Sequence, residues 1–311
     1  MELLESAKFL QDNIYKMQDP VTYKNVLNRG NNLLGYDIIN RMLIEFQYSN
    51  AVDVKTANGW REENREIKNG AKGIDILIPI YKVRYIDTET GEALKDNDLN
   101  VNEIEKALDI GLIQKENYID ALYTERVYDI KQTKNNSSSK YEMNSPVLTV
   151  SNILKWFIDI TGCKVENCDT TYYSHSDNIL YLSSIQYAEL ANNISQILTK
   201  YIIANVLKNK YYDTLEKYEK EIFEQSMQYS LSTLLGGNYE VSFQIIRSMH
   251  YSKLIMIANI IDCALFDIIS KLKFKKANYS LDVSSSIERL NKAETLLDIM
   301  EANSMHKQLS K

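Results

Sequence analysis

The sequence predicts an α+β protein with a small N-terminal α+β domain and a mainly helical C-terminal domain that contains a short β-hairpin. Two patterns predict this class. Apolar residues first recur at helical spacing and then give way to a β-branched run at 74–80, and long helical patterns later cover most of 185–272. The 311 residues, 44% of them hydrophobic, are enough for about two domains with a sizeable core.

The N-terminal domain is predicted over residues 1–133 and begins with two helices. Apolar residues at three-to-four spacing predict an amphipathic helix over 2–18, which Asp19 and Pro20 end. A second helical pattern follows Gly35 and continues to Phe46. Glycine-containing turns then separate these helices from the strands of the domain.

Three strands are predicted in the same domain, at residues 74–80, 83–86 and 125–130. The segment between them, 87–124, contains two short helical patterns, around 101–108 and 116–122, and we interpret it as an insertion.

A polar, serine- and asparagine-rich stretch at 134–146 predicts a linker, and the second domain is predicted over 147–311. That domain starts with a helix at 151–161 and a hairpin at about 164–182. Long helices follow, and the last amphipathic helix is predicted at 284–302.

The charge of the chain excludes a histone-like or polybasic protein, because 36 Lys and Arg face 42 Asp and Glu, a net charge of −6. Residues 1–133 contain 17 basic and 23 acidic side chains, whereas 55–84 contain 7 basic and 4 acidic ones. Any contact with DNA therefore has to come from a local cationic patch.

The three cysteines are too few for a disulfide framework and lack zinc-finger spacing. The N-terminus has acidic residues where a signal peptide is basic, and polar residues interrupt the most apolar stretch, 254–269. We therefore expect a cytoplasmic protein that does not associate with a membrane.

Residues 36–80 contain a tyrosine, an asparagine, a glutamine, a tryptophan and a basic glycine turn in one continuous order. The positions are Tyr36, Asn40, Gln47, Ala51, Gly59, Trp60, Arg65, Lys68, Gly70, Lys72, Gly73 and Pro79. This order, found here without a gap, resembles the N-terminal domain of ArdC-like antirestriction proteins, and residues 127–133 resemble that domain's V-F-D-V-x-Q-T strand.

The resemblance implies a domain that binds single-stranded DNA in proteins of plasmids, phages and conjugative elements. Such binding needs aromatic platforms for bases and cations along the phosphate backbone. Trp60 has the alternative role of a core anchor in a small sheet, and the glycines that of simple turn residues. The candidate nucleic-acid-binding residues are Tyr36, Asn40, Trp60, Arg65, Lys68 and Lys72.

Residues from 147 to about 300 resemble the zincin-like metallopeptidase domain of the same family. Residues 172–182 match its hairpin, and the helix at 196–204 matches the one that normally contains H-E-x-x-H. In this alignment Thr199 and Ile203 replace the two histidines, and Lys200 replaces the glutamate.

These replacements remove the chemistry that the motif supplies, which is two imidazoles that hold zinc and a carboxylate that accepts a proton from bound water. On the next helix Glu221 matches the first acid of the family's motif, whereas Gln225 replaces its last. We therefore predict an inactive pseudo-metallopeptidase domain without a cofactor. A zinc site assembled from distant residues such as His175 and Glu221 remains the alternative.

The leading hypothesis is thus a mobile-element antirestriction or anti-defence protein that contacts single-stranded DNA. In the same hypothesis, the N-terminal module contacts either single-stranded DNA or a host restriction or other defence protein. The alternative hypothesis is a protein-binding inhibitor or adaptor of a host defence enzyme that does not contact DNA. A third hypothesis is a residual metallopeptidase with an unconventional metal site.

Overall fold

The computed structural model confirms an α+β fold and describes residues 3–28, 36–49, 51–94, 101–135, 149–184, 187–207 and 212–274. Three helices open the chain: α1 (Leu3–Asn13), which continues as a 3₁₀ turn to Gln18, α2 (Pro20–Asn28) and α3 (Ile38–Gln47). The predictions of α1 and α3 are confirmed. The helix α2 was not expected after Pro20, although proline is well suited to the first turn of a helix.

A long antiparallel hairpin dominates the first half of the chain. Its strands are β3 (Ile74–Asp87) and β4 (Ile113–Asp129), which pair along their whole length with one bulge at Ile80/Tyr81. The short strand β1 (Val54–Thr56) adds to the base of β4, giving the order β1-β4-β3. The helix α5 (Val101–Asp109) lies between the two strands in sequence.

A second, two-stranded sheet joins β2 (Arg65–Ile67) to β5 (Thr133–Asn135) in antiparallel register. The helix α4 (Ala57–Glu62) leads from β1 towards β2, and Thr56 caps it by accepting a hydrogen bond from the Gly59 N–H at 3.1 Å. Residues 57–67 and 130–135, far apart in sequence, therefore lie side by side.

The second half of the chain is mainly helical around one small sheet. After α6 (Val150–Thr161) come β6 (Lys164–Asn167), β7 (Tyr172–Ser174) and β8 (Ile179–Leu182). The long helices are α7 (Tyr187–Ile202), which ends in a π-helical turn at Ile203–Leu207, α8 (Lys217–Leu234) and α9 (Tyr251–Phe274). None of the described helices combines the length and apolar character needed to cross a membrane.

Two expectations about local structure were wrong. Residues 116–122 form part of strand β4 and not a helix, so the last part of the segment 87–124, from Ile113 onward, pairs with β3. The predicted hairpin at 164–182 is a three-stranded sheet of order β6-β8-β7, in which β7 and β8 form the hairpin and β6 runs parallel to β8.

Other predictions fall outside the described residues. The proposed linker at 134–146 starts inside β5, and its remainder from 136 onward is not among them, nor is the helix predicted at 284–302.

One hydrophobic core contains residues from both halves of the chain. Side chains of α1, α2 and α3 pack with those of α6, α7, α8 and α9 in a single cluster. Polar contacts cross the same interface: Tyr23 Oη and Ser226 Oγ lie 3.0 Å apart, and Gln18 donates to the Met249 carbonyl at 2.7 Å. Arg41 of α3 and Asp262 of α9 form an ion pair with both side chains buried. The first three helices thus belong to the core of the helical half.

Two side-chain amides of α3 attach that helix to the edge of the sheet. Asn40 accepts from the Leu77 N–H and donates to the Leu77 carbonyl, both at 2.8 Å. The Gln47 amide likewise accepts from the Asp75 N–H at 3.0 Å and donates to the Asp75 carbonyl at 2.7 Å. Because β3 is an edge strand, these bonds satisfy backbone groups that would otherwise be open to pairing with another chain.

We predict that Gln47→Met lowers the free energy of unfolding by about 1–3 kcal/mol, because the N–H and C=O of Asp75 lose their amide partner while side-chain volume is kept. The matched control is Gln228→Met, at a half-buried position of α8 for which the described residues offer no side-chain hydrogen bond. Urea denaturation of both variants measures the difference. An equal loss of unfolding free energy in both variants would show that the hydrogen bonds of Gln47 to Asp75 do not stabilise the fold.

Candidate nucleic-acid interface

Tyr36 and Asn40, two of the predicted DNA-binding residues, form hydrogen bonds within the fold. The Tyr36 hydroxyl donates to the Val54 carbonyl at 3.0 Å, and Asn40 is buried in its bidentate contact with Leu77. Asp37 caps α3 by accepting from the Asn40 N–H at 2.9 Å. Both polar groups are therefore engaged inside the N-terminal half, and the surface available to a nucleic acid has to be formed by other residues.

Trp60 is a core residue, fully shielded from solvent. Its indole N–H donates to the Tyr128 carbonyl at 2.7 Å, and the Lys55 ammonium lies 4.8 Å from the ring centroid. The interpretation of Trp60 as a core anchor fits this position. A base-stacking role does not, because stacking needs an open aromatic face.

Arg65 is also turned inward. It is 9% exposed, and its Nε donates to the Thr133 hydroxyl at 2.7 Å, which in turn donates to the Ile130 carbonyl at 2.8 Å. The guanidinium also lies over the Trp60 ring at 5.8 Å. Arg65 thus ties β2 to the start of β5 and covers the tryptophan.

The turn between β2 and β3 contains the remaining two predicted residues, Lys68 and Lys72, and both side chains are exposed. The Lys68 ammonium donates to the Lys131 carbonyl at 2.8 Å, and the Gln132 amide donates to the Lys72 carbonyl at 2.7 Å. Gly70 has a φ of +77°, a conformation that favours glycine. The turn is therefore held against residues 130–133.

Asp129 organises the other side of this contact. Its buried carboxylate accepts from the backbone N–H groups of Val52, Asp53 (3.2 Å) and Lys131 (2.9 Å). The Asp129 N–H donates to the Gln132 amide oxygen at 2.9 Å. The resemblance at 127–133 thus corresponds to a hydrogen-bond network that places Lys131 next to Lys68.

We call Lys68, Lys72 and Lys131 the cationic turn. Reasoning from sequence does not single out Lys131, although the motif at 127–133 contains it. The two segments that meet here, 55–73 and 126–135, contain eight basic and four acidic residues, an excess of basic charge in an acidic chain. Acidic neighbours partly offset it, since Lys134 pairs with Glu66 at 3.1 Å and Lys55 pairs with Glu63.

The degenerate metal-site positions do not fit a zinc ion. Thr199 is buried and its hydroxyl donates to the Ser195 carbonyl at 2.8 Å within α7. Lys200 is exposed, and Ile203 packs against the core without any donor atom. On α8 the Gln225 amide donates to Glu221 Oε1 at 3.2 Å. A dication needs unprotonated nitrogen, oxygen or sulfur ligands, which this set does not converge to supply.

The distant histidine does not complete the site in the described part of the chain. His175 contacts the Tyr173 ring at a centroid distance of 4.6 Å. Among the residues that the structure describes, no three His, Cys, Asp or Glu side chains come together as a metal site would require.

Comparison with known proteins finds no matching family model and no matching curated protein. Two solved structures of the antirestriction protein ArdC from plasmid R388 are similar. The metal-free structure has a TM-score of 0.37 and 14% identity, over 86% of this chain and 84% of that one. The Mn(II)-bound structure has a TM-score of 0.40 and 12% identity, over 83% and 99%. These values describe a distant overall likeness.

We predict that Tyr36→Phe costs about 1 kcal/mol near pH 8, where the hydroxyl donates to Val54, and that this cost shrinks at alkaline pH. Burial, and then the charges of Glu125 and Asp53, raise the pKa of Tyr36 from 10.0 to about 12. The unfolded chain therefore loses this proton first, and the stabilisation is complete below pH 10 and lost between about pH 10 and 12.

Denaturation of the wild type and of Tyr36→Phe at pH 8, 10 and 11 measures this difference. The stability gap between them should narrow as the pH rises. A constant gap would contradict a hydroxyl that is held protonated by its surroundings.

Proposed function

We propose that this protein is an antirestriction or anti-defence protein of a mobile genetic element and that its N-terminal half binds single-stranded DNA through the cationic turn. The observation that supports this proposal most is the geometry of the turn. Three exposed lysines are held together by the contacts of Lys68 with Lys131 and of Gln132 with Lys72. The resemblance of residues 36–80 and 127–133 to ArdC-like proteins supports the same role.

Binding of this kind is directed at phosphates. Lysine ammonium groups are point charges that follow a nucleic-acid backbone without reading its sequence. Because Trp60 and Arg65 are buried, the proposed site has no stacking contribution from Trp60 and no guanidinium from Arg65. We therefore propose moderate, strongly salt-dependent affinity with little base preference.

In this proposal the helical half has no peptidase activity. The position of the first histidine is taken by Thr199, whose hydroxyl is used within its own helix, and that of the second by Ile203. In this proposal the role of α7 is to pack the core, because its buried residues Ile194, Leu198 and Ile202 belong to the core shared by both halves.

A second candidate function is inhibition of a host defence protein by direct contact. The observation that favours it is the outer part of the β3–β4 hairpin, where apolar and aromatic side chains are exposed. Large exposed apolar surface is typical of protein-binding sites. On strands β3 and β4, the large apolar and aromatic side chains at this surface are Ile80, Tyr81, Val83 and Tyr123, each 40–45% exposed.

The cationic turn is tested by replacing all three lysines with glutamine. We predict that Lys68→Gln/Lys72→Gln/Lys131→Gln weakens binding of a labelled single-stranded oligonucleotide by about tenfold or more at low salt. The slope of log K against log[salt] should become less steep by about 2. The variant loses three lysine–phosphate contacts, so its binding releases fewer counterions. Fluorescence anisotropy at several salt concentrations measures both values.

The control replaces three exposed lysines on other elements, as Lys8→Gln/Lys115→Gln/Lys217→Gln, with the same change in net charge. If both triple variants lose affinity equally, binding is a response to net charge and the turn is not the site. Absence of binding by the wild type at low salt would favour the second candidate function.

For the helical half we predict that protein purified without chelators contains far less than one zinc ion per chain. Elemental analysis by mass spectrometry of the purified chain measures this content, with buffer from the same column as the blank. Stoichiometric zinc would overturn the proposal of an inactive domain and favour a residual metallopeptidase.

A further inference from the structure

The small sheet β6-β8-β7 has one face packed on the core and one face open to solvent in the described part of the chain. Leu180 of β8 is buried, and its partner Tyr173 packs on the core with its ring 5.2 Å from that of Phe157. Because side chains alternate along a strand, the neighbouring row points the other way. That row contains Glu166, Tyr181 and Tyr172, paired in register across the three strands.

Two tyrosines form a stack in this row. The rings of Tyr172 and Tyr181 lie 4.6 Å apart at an interplanar angle of 19°, and Tyr172 is 44% exposed. Tyr181 is half-buried and lies between Glu166 of β6 and Tyr172 of β7, so Tyr172 offers the more exposed aromatic surface. We call Glu166, Tyr172 and Tyr181 the tyrosine face.

Two acidic residues, Glu166 and Asp177, act electrostatically on Tyr181. Glu166 pairs with Tyr181 in the strand register, and partial burial, followed by the charges of Glu166 and Asp177, raises the pKa of Tyr181. Both carboxylates belong to exposed residues. Residues 164–182 contain three acidic side chains and one lysine, Lys164, which lies in the next row of the same face.

The adjoining edge of the sheet has the backbone groups that an extended segment would need. The strand β6 is an edge strand, and all four of its residues are exposed. The N–H groups of Lys164 and Cys168 donate to the Asn178 and Leu182 carbonyls of the β8 side. By alternation the backbone groups of Val165 and Asn167 point away from β8.

We propose that the tyrosine face and the edge of β6 bind an arginine-containing extended segment of a partner protein. A guanidinium stacks on an aromatic ring and pairs with a carboxylate at the same time, and both groups are present in one row. An extended chain along β6 would place alternate side chains over that row. The acidic excess disfavours nucleic acid at this surface.

This proposal does not depend on DNA binding, since the two surfaces share no residue and have opposite charge. It goes beyond the proposed function in stating where a protein partner would contact the helical half and which side chain of the partner would be recognised.

The test uses the full chain and a fluorescein-labelled octapeptide of alternating serine and arginine, with lysine and citrulline versions as comparisons. We expect the arginine peptide to bind best, because lysine stacks less well and citrulline has no charge. Glu166→Gln and Tyr172→Leu should each weaken arginine-peptide binding about two- to fivefold, as expected for exposed ion pairs and cation–π contacts. Anisotropy titration measures the Kd.

Two controls keep the result specific. Glu105→Gln removes an exposed carboxylate from α5 and should leave the Kd unchanged, and the triple variant of the cationic turn should bind the peptide like the wild type. Glu166→Gln changes only the charge of an exposed residue, so it tests the proposal even if Tyr172→Leu unfolds. Equal binding of the lysine peptide, an equal loss in Glu105→Gln, or no binding at low salt would overturn the proposal.

Discussion

The attachment of α3 to the edge of β3 is the contact on which the arrangement of this protein depends. Asn40 and Gln47 are seven residues apart, so they lie on one side of the helix two turns from each other. Their amides bond to Leu77 and Asp75, alternate residues whose backbone groups point in the same direction. Two side chains thus replace a neighbouring strand along this part of the edge.

The same helix connects the sheet to the helical half. On one side Ile44 packs with Val54, Ile74, Ile76 and Val127 in a small cluster under the sheet. On another side its apolar residues enter the large core, and Arg41 pairs with the buried Asp262 of α9. Loss of one partner of such a pair would leave a buried charge uncompensated, which typically costs about 3–5 kcal/mol. The ten-residue helix α3 is therefore one of the elements that couple the sheet to the helical half, together with α1 and α2.

Most residues that carry the resemblance to ArdC-like proteins form hydrogen bonds within the fold. Trp60, Asp129 and Gln132 each satisfy backbone groups that are distant in sequence. Their effect on a ligand would be indirect, because they hold the turn that presents Lys68 and Lys72 to solvent. In the helical half, the Thr199 hydroxyl likewise donates within its own helix α7, to the Ser195 carbonyl.

Local periodicity was sufficient to predict α1, α3, the first part of β3 and α6, since the spacing of their apolar residues reports which face each element buries. It was not sufficient for residues 116–122, where apolar residues three and four apart are also compatible with a strand. Only pairing with β3 decides their conformation. The positions of Trp60, Arg65 and Lys131 were likewise decided by tertiary structure. Their hydrogen-bond partners lie about 60 residues or more away along the chain. Sequence alone does not tell whether such a partner buries a side chain or leaves it exposed.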